Sequence, residues 1–406
     1  MHLNHLSLTN FRNFSRLDVE VPSGPVLVVG DNAQGKTSLL EAVYFLATFV
    51  SFQASGERQL INFISAREPL AVARLIGDYS SGDSSHRIEV RIIQEPNGMA
   101  PLLRVRKEVL VDGVKRKLSE AVGMFNAVLF LPQMMAVVDG APEERRRYLN
   151  LALAQVLPTY PETLSDYTKA LTQRNALLKQ LSERGGDPGQ MIYWDDQLGQ
   201  AGAQLIHARI RAIQELEILA ARQHRELTRG DEVLRLCYQP SYDPFPSPPG
   251  QFTLPFDAPV DRSRLPVDEI RLGFLKKLES VRSEEIARGV TLYGPHRDEM
   301  RFLSNGIDLG IFGSRGQVRT AMLALKLAEV SWMKEKTGHW PVLLLDEVLA
   351  ELDTQRRSDL LSRLVEARQV LLTTTDLDLF EPEFVRAGKV WCIRAGRLHE
   401  AEMDNG

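Results

Sequence analysis

Apolar residues recur along this chain in two rhythms, and the changes of rhythm mark out its parts. Over 2–21 they alternate as in strands, at Leu3, Leu6, Leu8, Phe11, Phe14, Leu17, Val19 and Val21. The turn Pro22-Ser23-Gly24-Pro25 follows, then the apolar run Val26-Leu27-Val28-Val29, which reads as a buried strand. From Lys36 to about Phe49 the chain is rich in Leu, Ala and Glu and reads as a helix. Short β-like segments recur at 71–76, 88–93 and 102–105. The turns 80–85 and 96–98 separate them, a pattern that predicts an antiparallel sheet. Residues 128–131 read as one further strand.

After Gly140 the period becomes helical. Pro142, then Glu143 and Glu144 ahead of Arg145, Arg146 and Arg147, marks a helix start with acids where the helix dipole favours them. Helical spacing runs over 161–184 and, after the breaker Gly185-Gly186-Asp187-Pro188-Gly189, over 192–228. Two helices joined by so tight a loop predict an antiparallel helical hairpin, its second arm roughly 50 Å long at 1.5 Å per residue. The Pro-rich stretch 240–266 reads as a loop excursion, and 268–287 as a helix. Beyond Gly289 the β/α pattern returns. A hairpin region is expected over 291–309, helices over 316–336 and 358–367, and strands over 341–345, 369–373 and 389–394. No repeat of solenoid period is present.

A chain of 406 residues has length for two or three domains and a sizeable core. Its net charge of -4 means that any nucleic acid would have to meet a local basic patch. Cys237 and Cys392 show neither metal nor disulfide spacing, which fits a reducing compartment. The first residues lack the basic start and apolar run of a signal peptide, and the longest apolar stretch, 42–50, is too short for a membrane span. The expectation is a cytoplasmic protein.

The chemistry concentrates at the strand-to-helix junction. Gly30-x-x-x-x-Gly35-Lys36-Thr37 matches the P-loop pattern, with strand, loop and helix in order. Gly30, Asp31, Asn32, Ala33, Gln34, Gly35, Lys36, Thr37 and Ser38 would wrap the phosphates with backbone N–H groups at a helix N-terminus. Lys36 would reach the β- and γ-phosphates and the Thr37 hydroxyl would ligate Mg²⁺, so the pattern implies binding of a nucleoside triphosphate such as ATP. Far downstream, Val342-Leu343-Leu344-Leu345-Asp346-Glu347 has the form of a Walker B segment. Asp346 would hold Mg²⁺, and Glu347 would polarise the attacking water as general base. Ser314-Arg315-Gly316-Gln317 opens a helix, and Leu352-Asp353 and Thr373-Thr374-Thr375-Asp376 follow the Walker B strand.

This order resembles the ABC-type ATPase heads of the SMC and Rad50 superfamily, and within it the RecF family. Leu8-Thr9-Asn10-Phe11-Arg12-Asn13-Phe14, the P-loop, Gly294-Pro295-His296-Arg297-Asp298-Glu299 and the later motifs carry the resemblance over nearly the whole chain, thinning over 150–290. It implies an α/β ABC-type head of mixed and parallel sheets, formed by 1–139 and 290–406. A helical domain containing the hairpin, 140–289, would be inserted between the two parts. It further implies a homodimer that closes when ATP is bound, Ser314 and Gly316 capping the partner's nucleotide and Asp353 lying at the seam. Gln133 would sense Mg²⁺ and water, and Arg12 would lie near the phosphates. The resemblance implies a weak, DNA-stimulated ATPase used as a switch. Its DNA would be gapped or carry a single-strand/double-strand junction, and RecO, RecR and RecA loading belong to the same implication. One departure is that Thr375 and Asp376 stand where ABC ATPases carry a switch histidine.

For DNA contact the candidate clusters are Arg104, Arg106 and Lys107 with Lys115, Arg116 and Lys117, and separately Arg145 to Arg147. No base-reading motif accompanies them, so backbone contact is expected. An ABC transporter ATPase subunit is the alternative, but the insertion of about 150 residues, 140–289, that lies between Gln133 and Ser314 is larger than such subunits usually carry there. His296 has no second ligand at a suitable spacing for a metal.

Overall fold

The computed structural model describes residues 1–96, 103–245, 261–262, 264–364 and 367–400. Much of the Pro-rich stretch 240–266 and the turn at 97–98 lie outside them. The chain divides into two compact units, Met1–Met134 with Met333–Gly406, and Met135–Trp332.

The first unit starts with an antiparallel sheet of seven consecutive strands' worth of chain, folded as six. Strands β1 (His2–Phe11) and β2 (Phe14–Glu20) form a hairpin, and β3 (Gly24–Val29) leaves for a second sheet. Then β4 (Ala71–Ser81), β5 (Ser84–Pro96), β6 (Leu103–Val111) and β7 (Val114–Arg116) complete the order β2-β1-β4-β5-β6-β7. In β1, Leu3, Leu6, Leu8 and Phe11 are buried, and an irregularity between Leu3 and His5 accounts for the three-residue step. The helix Lys36–Thr48 is buried on every residue from Leu39 onward and touches strands of both sheets. Each fully buried Leu, Val or Phe there contributes roughly 1.5–3 kcal/mol. This is why its sequence is apolar around the whole circumference rather than on one stripe. Strand β8 (Ala127–Phe130) is wholly buried, as expected of a parallel strand covered on both faces.

The second unit is mainly helical, with Pro142–Val156, Tyr160–Arg184, Met191–Leu227, Val267–Arg288 and the part of Arg315–Thr337 up to Trp332. Tyr160–Arg184 and Met191–Leu227 pack on each other as the expected hairpin, and the second has 37 residues. Two buried arginines hold the helices. Arg174 donates to Asp195 at 2.8 Å, Glu285 at 2.6 Å and the Thr291 hydroxyl at 2.8 Å. Arg209 donates to Asp298 at 2.8 Å, to Asn150 at 3.0 Å and to the Pro295 carbonyl. Buried charges survive only when paired and hydrogen-bonded in this way. A small antiparallel sheet of β9 (Leu234–Gln239), β10 (Glu299–Ser304) and β11 (Ile307–Asp308) completes the unit.

Residues 290–332 were expected with the ATPase head. They fall in the second unit because β10 pairs with β9, and Asp298 and Glu299 bind Arg209 and Arg145.

The chain returns to the first unit with β12 (Val342–Asp346), β13 (Gln369–Thr374), β14 (Lys389–Arg394) and β15 (Arg397–Glu400). They complete a second six-stranded sheet, β15-β14-β3-β13-β12-β8, parallel except for β15. Parallel strands end on one edge, and that edge carries the P-loop.

Candidate functional site

In the parallel sheet β13 lies between β3 and β12, with Thr373 opposite both Val28 and Asp346. The P-loop and the Walker B acid therefore start from the same level of the sheet, separated by one strand. Beyond β3 the loop turns through Ala33 at φ 64° and Gly35 at φ 121°, and the helix begins at Lys36. That curl is what turns the N–H groups toward one point. Gly30 is needed for closeness: a Cβ there would lie 2.4 Å from the Ile393 carbonyl oxygen of the adjacent strand β14.

Thr37 donates to Asp346 Oδ1 at 3.1 Å, and Thr373 donates to the same oxygen at 2.6 Å. The Glu347 N–H donates to Thr373 Oγ1 at 3.1 Å, and Glu347 sits in the left-handed region at φ 53°. Burial pushes the Asp346 carboxyl above the usual carboxylate range, opposed by the Thr373 and Thr37 hydrogen bonds. The Thr37 hydroxyl and the Asp346 carboxylate thus form a compact oxygen pair, a donor set that fits a hard divalent cation such as Mg²⁺.

Lys36 is 4% exposed, and its ammonium donates to the carbonyls of Gly30 at 2.6 Å and Asp31 at 3.3 Å. It also lies 3.1 Å from Glu347 Oε1. These groups surround a cleft of about 320 Å³ lined by Asp31, Asn32, Ala33, Gly35, Lys36, Thr37, Ser38 and Glu347, with Asn13 and Gln53 added. Gln34 is turned to another task. Its side-chain oxygen accepts from the Ala395 N–H at 2.6 Å and its carbonyl from the Gly396 N–H at 3.1 Å, so the β14–β15 turn clamps the loop.

The other candidate residues do not line this cleft. The Arg12 guanidinium is held by Glu41 at 2.7 and 2.8 Å and by the Gln59 carbonyl at 3.0 Å, and Arg12 does not line the cleft. Gln133 is exposed, just past the end of β8. Asp353 is exposed and caps the helix Thr354–Leu364 through the Arg356 N–H at 2.9 Å. Ser314 and Gly316 belong to the second unit, at the start of Arg315–Thr337, where Ser314 is exposed.

Several members of the basic clusters are ion-paired. Arg106 pairs with Glu95 and Glu108, Lys115 with Glu108, and Lys107 with Glu57 and the Phe49 carbonyl. Arg145 pairs with Glu299, and Arg146 with Glu143 and the Asp298 carbonyl. Among the described residues no group of three or more His, Cys, Asp and Glu could hold a metal. His296 sits between the Tyr167 hydroxyl, 2.7 Å from Nδ1, and the Thr291 carbonyl, 3.3 Å from Nε2. No described helix is long and apolar enough to cross a membrane.

A model of the RecF/RecN/SMC N terminal domain family matches residues 2–388. The chain is 38% identical to the DNA replication and repair protein RecF of Chloroflexus aggregans, over 98% of this chain and 99% of the relative. It is 39% identical to that of Roseiflexus castenholzii, over 99% of this chain and 100% of the relative. A solved structure of the recombination mediator protein RecF with ATP, of the RecFOR pathway, superposes with a TM-score of 0.82 at 29% identity. The match covers 99% of this chain and 98% of that one.

Proposed function

The chain belongs to the RecF family of DNA replication and repair proteins, ABC-type ATPases, and from that premise we propose that it is an ATP-gated clamp on DNA. One observation carries the nucleotide chemistry: Lys36, Thr37 and Glu347 line a single cleft at the carboxyl edge of a parallel sheet, and Asp346 is hydrogen-bonded to the Thr37 hydroxyl. In this reading the P-loop amides and Lys36 hold the phosphates of ATP, and Thr37 and Asp346 hold Mg²⁺, which neutralises phosphate charge when bound. Glu347 positions and deprotonates the attacking water. Gln133 senses Mg²⁺ and the attacking water.

Two chains close on two nucleotides, each supplying Ser314 and Gly316 to the partner's ATP, with Asp353 at the seam. ATP favours the dimer only as far as it binds the dimer better than the monomer. Hydrolysis removes that preference and releases the clamp, so turnover is slow and serves as a switch. The DNA is gapped or carries a single-strand/double-strand junction and is met through its backbone. RecO and RecR are the expected partners, and assistance to RecA loading the expected outcome.

The test is Mg²⁺-dependent ATP turnover measured with and without gapped duplex DNA, in the wild type and in Lys36→Met. DNA-stimulated turnover lost in Lys36→Met supports the reading. Turnover that survives Lys36→Met, or that DNA leaves unchanged, overturns it.

A further inference from the structure

We propose that Glu232 is a positioning residue for Ser314, acting through Gln317. The inference rests on the reading above, in which Ser314 reaches the nucleotide of a partner chain. Ser314 and Gln317 form a reciprocal capping box at the start of Arg315–Thr337. The Gln317 N–H donates to Ser314 Oγ at 3.2 Å, and the Ser314 N–H donates to Gln317 Oε1 at 3.1 Å. A glutamine amide can face either way, and a flipped Gln317 would turn its NH₂ group toward the Ser314 N–H and break the box. Glu232 decides which way it faces.

The Gln317 Nε2 donates to Glu232 Oε1 at 3.1 Å, and an ionised carboxylate only accepts. With the amide flipped, carbonyl oxygen would face carboxylate oxygen. Glu232 is itself fixed. Its Oε2 accepts from the Ser304 hydroxyl at 2.7 Å, at the end of β10, and lies 3.8 Å from Nε2 of the buried His224. The segment is anchored close by, since Val233 and Asn305 exchange two hydrogen bonds of 3.0 Å. A chain of directed bonds therefore runs from Ser304 through Glu232 and Gln317 to Ser314, all within the second unit. The far end stays open: Ser314 is exposed, and a Cβ on Gly316 would meet only Ser314 Oγ, at 3.9 Å. A loop that must present one hydroxyl to another molecule gains most from being fixed beforehand.

The test is sedimentation in Mg²⁺ and ATP, beside equilibrium ATP binding by the monomer. Gln317→Glu sets two carboxylates against each other. The double variant Glu232→Gln with Gln317→Glu restores an amide donor facing a carboxylate, and keeps an acceptor for the Ser314 N–H. Gln317→Glu should weaken ATP-driven association by about tenfold or more, the scale of a lost charge-assisted hydrogen bond, with ATP binding unchanged. The double variant should recover most of the loss. Glu232→Ala, which removes the acid without adding a charge, should fail like the single variant and guards against misfolding of Gln317→Glu. Association of both single variants at wild-type strength, or a double variant no better than Gln317→Glu, overturns the role of Glu232. A wild-type chain that does not associate with ATP overturns instead the clamp reading beneath it.

Discussion

The Lys36 ammonium lies 3.1 Å from a carboxylate oxygen of Glu347, while the carbonyls of Gly30 and Asp31 take its remaining donors. In the proposed reading the lysine that would meet phosphate is thus held by the acid that would activate water, and an entering triphosphate would compete with that carboxylate for it. Glu347→Gln keeps the shape and removes the base. Hydrolysis is expected to fall about 10²–10⁴-fold, the usual range for a lost general base, and ATP-bound dimers should outlast those of the wild type. Single-turnover hydrolysis and dimer dissociation at wild-type rates would remove Glu347 from this role.

Two glycines separate folding from contact. A Cβ at Gly30 would lie 2.4 Å from the Ile393 carbonyl oxygen, where neither backbone can yield, whereas one at Gly316 would touch only Ser314 Oγ, at an ordinary 3.9 Å. Gly30→Ala should cost roughly 1–3 kcal/mol of stability and weaken ATP binding, as overpacking does. Gly316→Ala should melt like the wild type, so that any lost association reports on the partner. Thermal melting of the two variants checks both statements. Equal melting of Gly30→Ala and the wild type would contradict the first.

Ser314 is exposed at a helix start in the second unit. Ser314→Arg puts a large cation where a small hydroxyl is expected to meet a bound triphosphate. It should leave ATP affinity within about twofold of the wild type and abolish ATP-driven association, because surface changes seldom disturb the fold. Association that persists in Ser314→Arg would sink capping in trans.

Acid should weaken the second unit through His296. Burial lowers its pKa to about 4, with the charges of Arg297 and Arg146 adding to the effect and the Thr291 carbonyl opposing it. The folded chain keeps His296 neutral, so the unfolded chain binds the extra proton between about pH 6.5 and about pH 4. Its stabilisation is complete above pH 6.5 and is lost as pH falls toward 4, at most about 3 kcal/mol. His296→Gln keeps an acceptor for Tyr167 and a donor for Thr291 but does not titrate. Unfolding free energies at pH 7 and pH 5 should therefore differ less in His296→Gln than in the wild type. Equal acid sensitivity would exclude this role.

The nucleotide cleft was legible because its chemistry fixes residue types at fixed spacings. Gly30, Gly35, Lys36 and Thr37 are adjacent, and Asp346-Glu347 closes an apolar run. The supporting contacts were not legible, because they join residues hundreds of positions apart under no spacing rule, as with Gln34 and Ala395. Strand β9 escaped for the same reason: Leu234–Gln239 follows a long helix, and its partner β10 begins at Glu299. The acids that pair with members of the basic clusters were not legible either, since they lie far along the chain, Glu299 beside Arg145 and Glu57 beside Lys107. A run of charge shows its own sign but not its neighbours.

The most direct measurement is the mass of the chain in solution by sedimentation, with ATP and Mg²⁺, with ADP, and with neither, each with and without gapped duplex DNA. A dimer that forms only with ATP, binds the DNA and is lost in Lys36→Met is the expected result. A monomer under every condition would leave an ATP-binding protein whose Ser314 has no partner's nucleotide to reach, and would contradict the clamp.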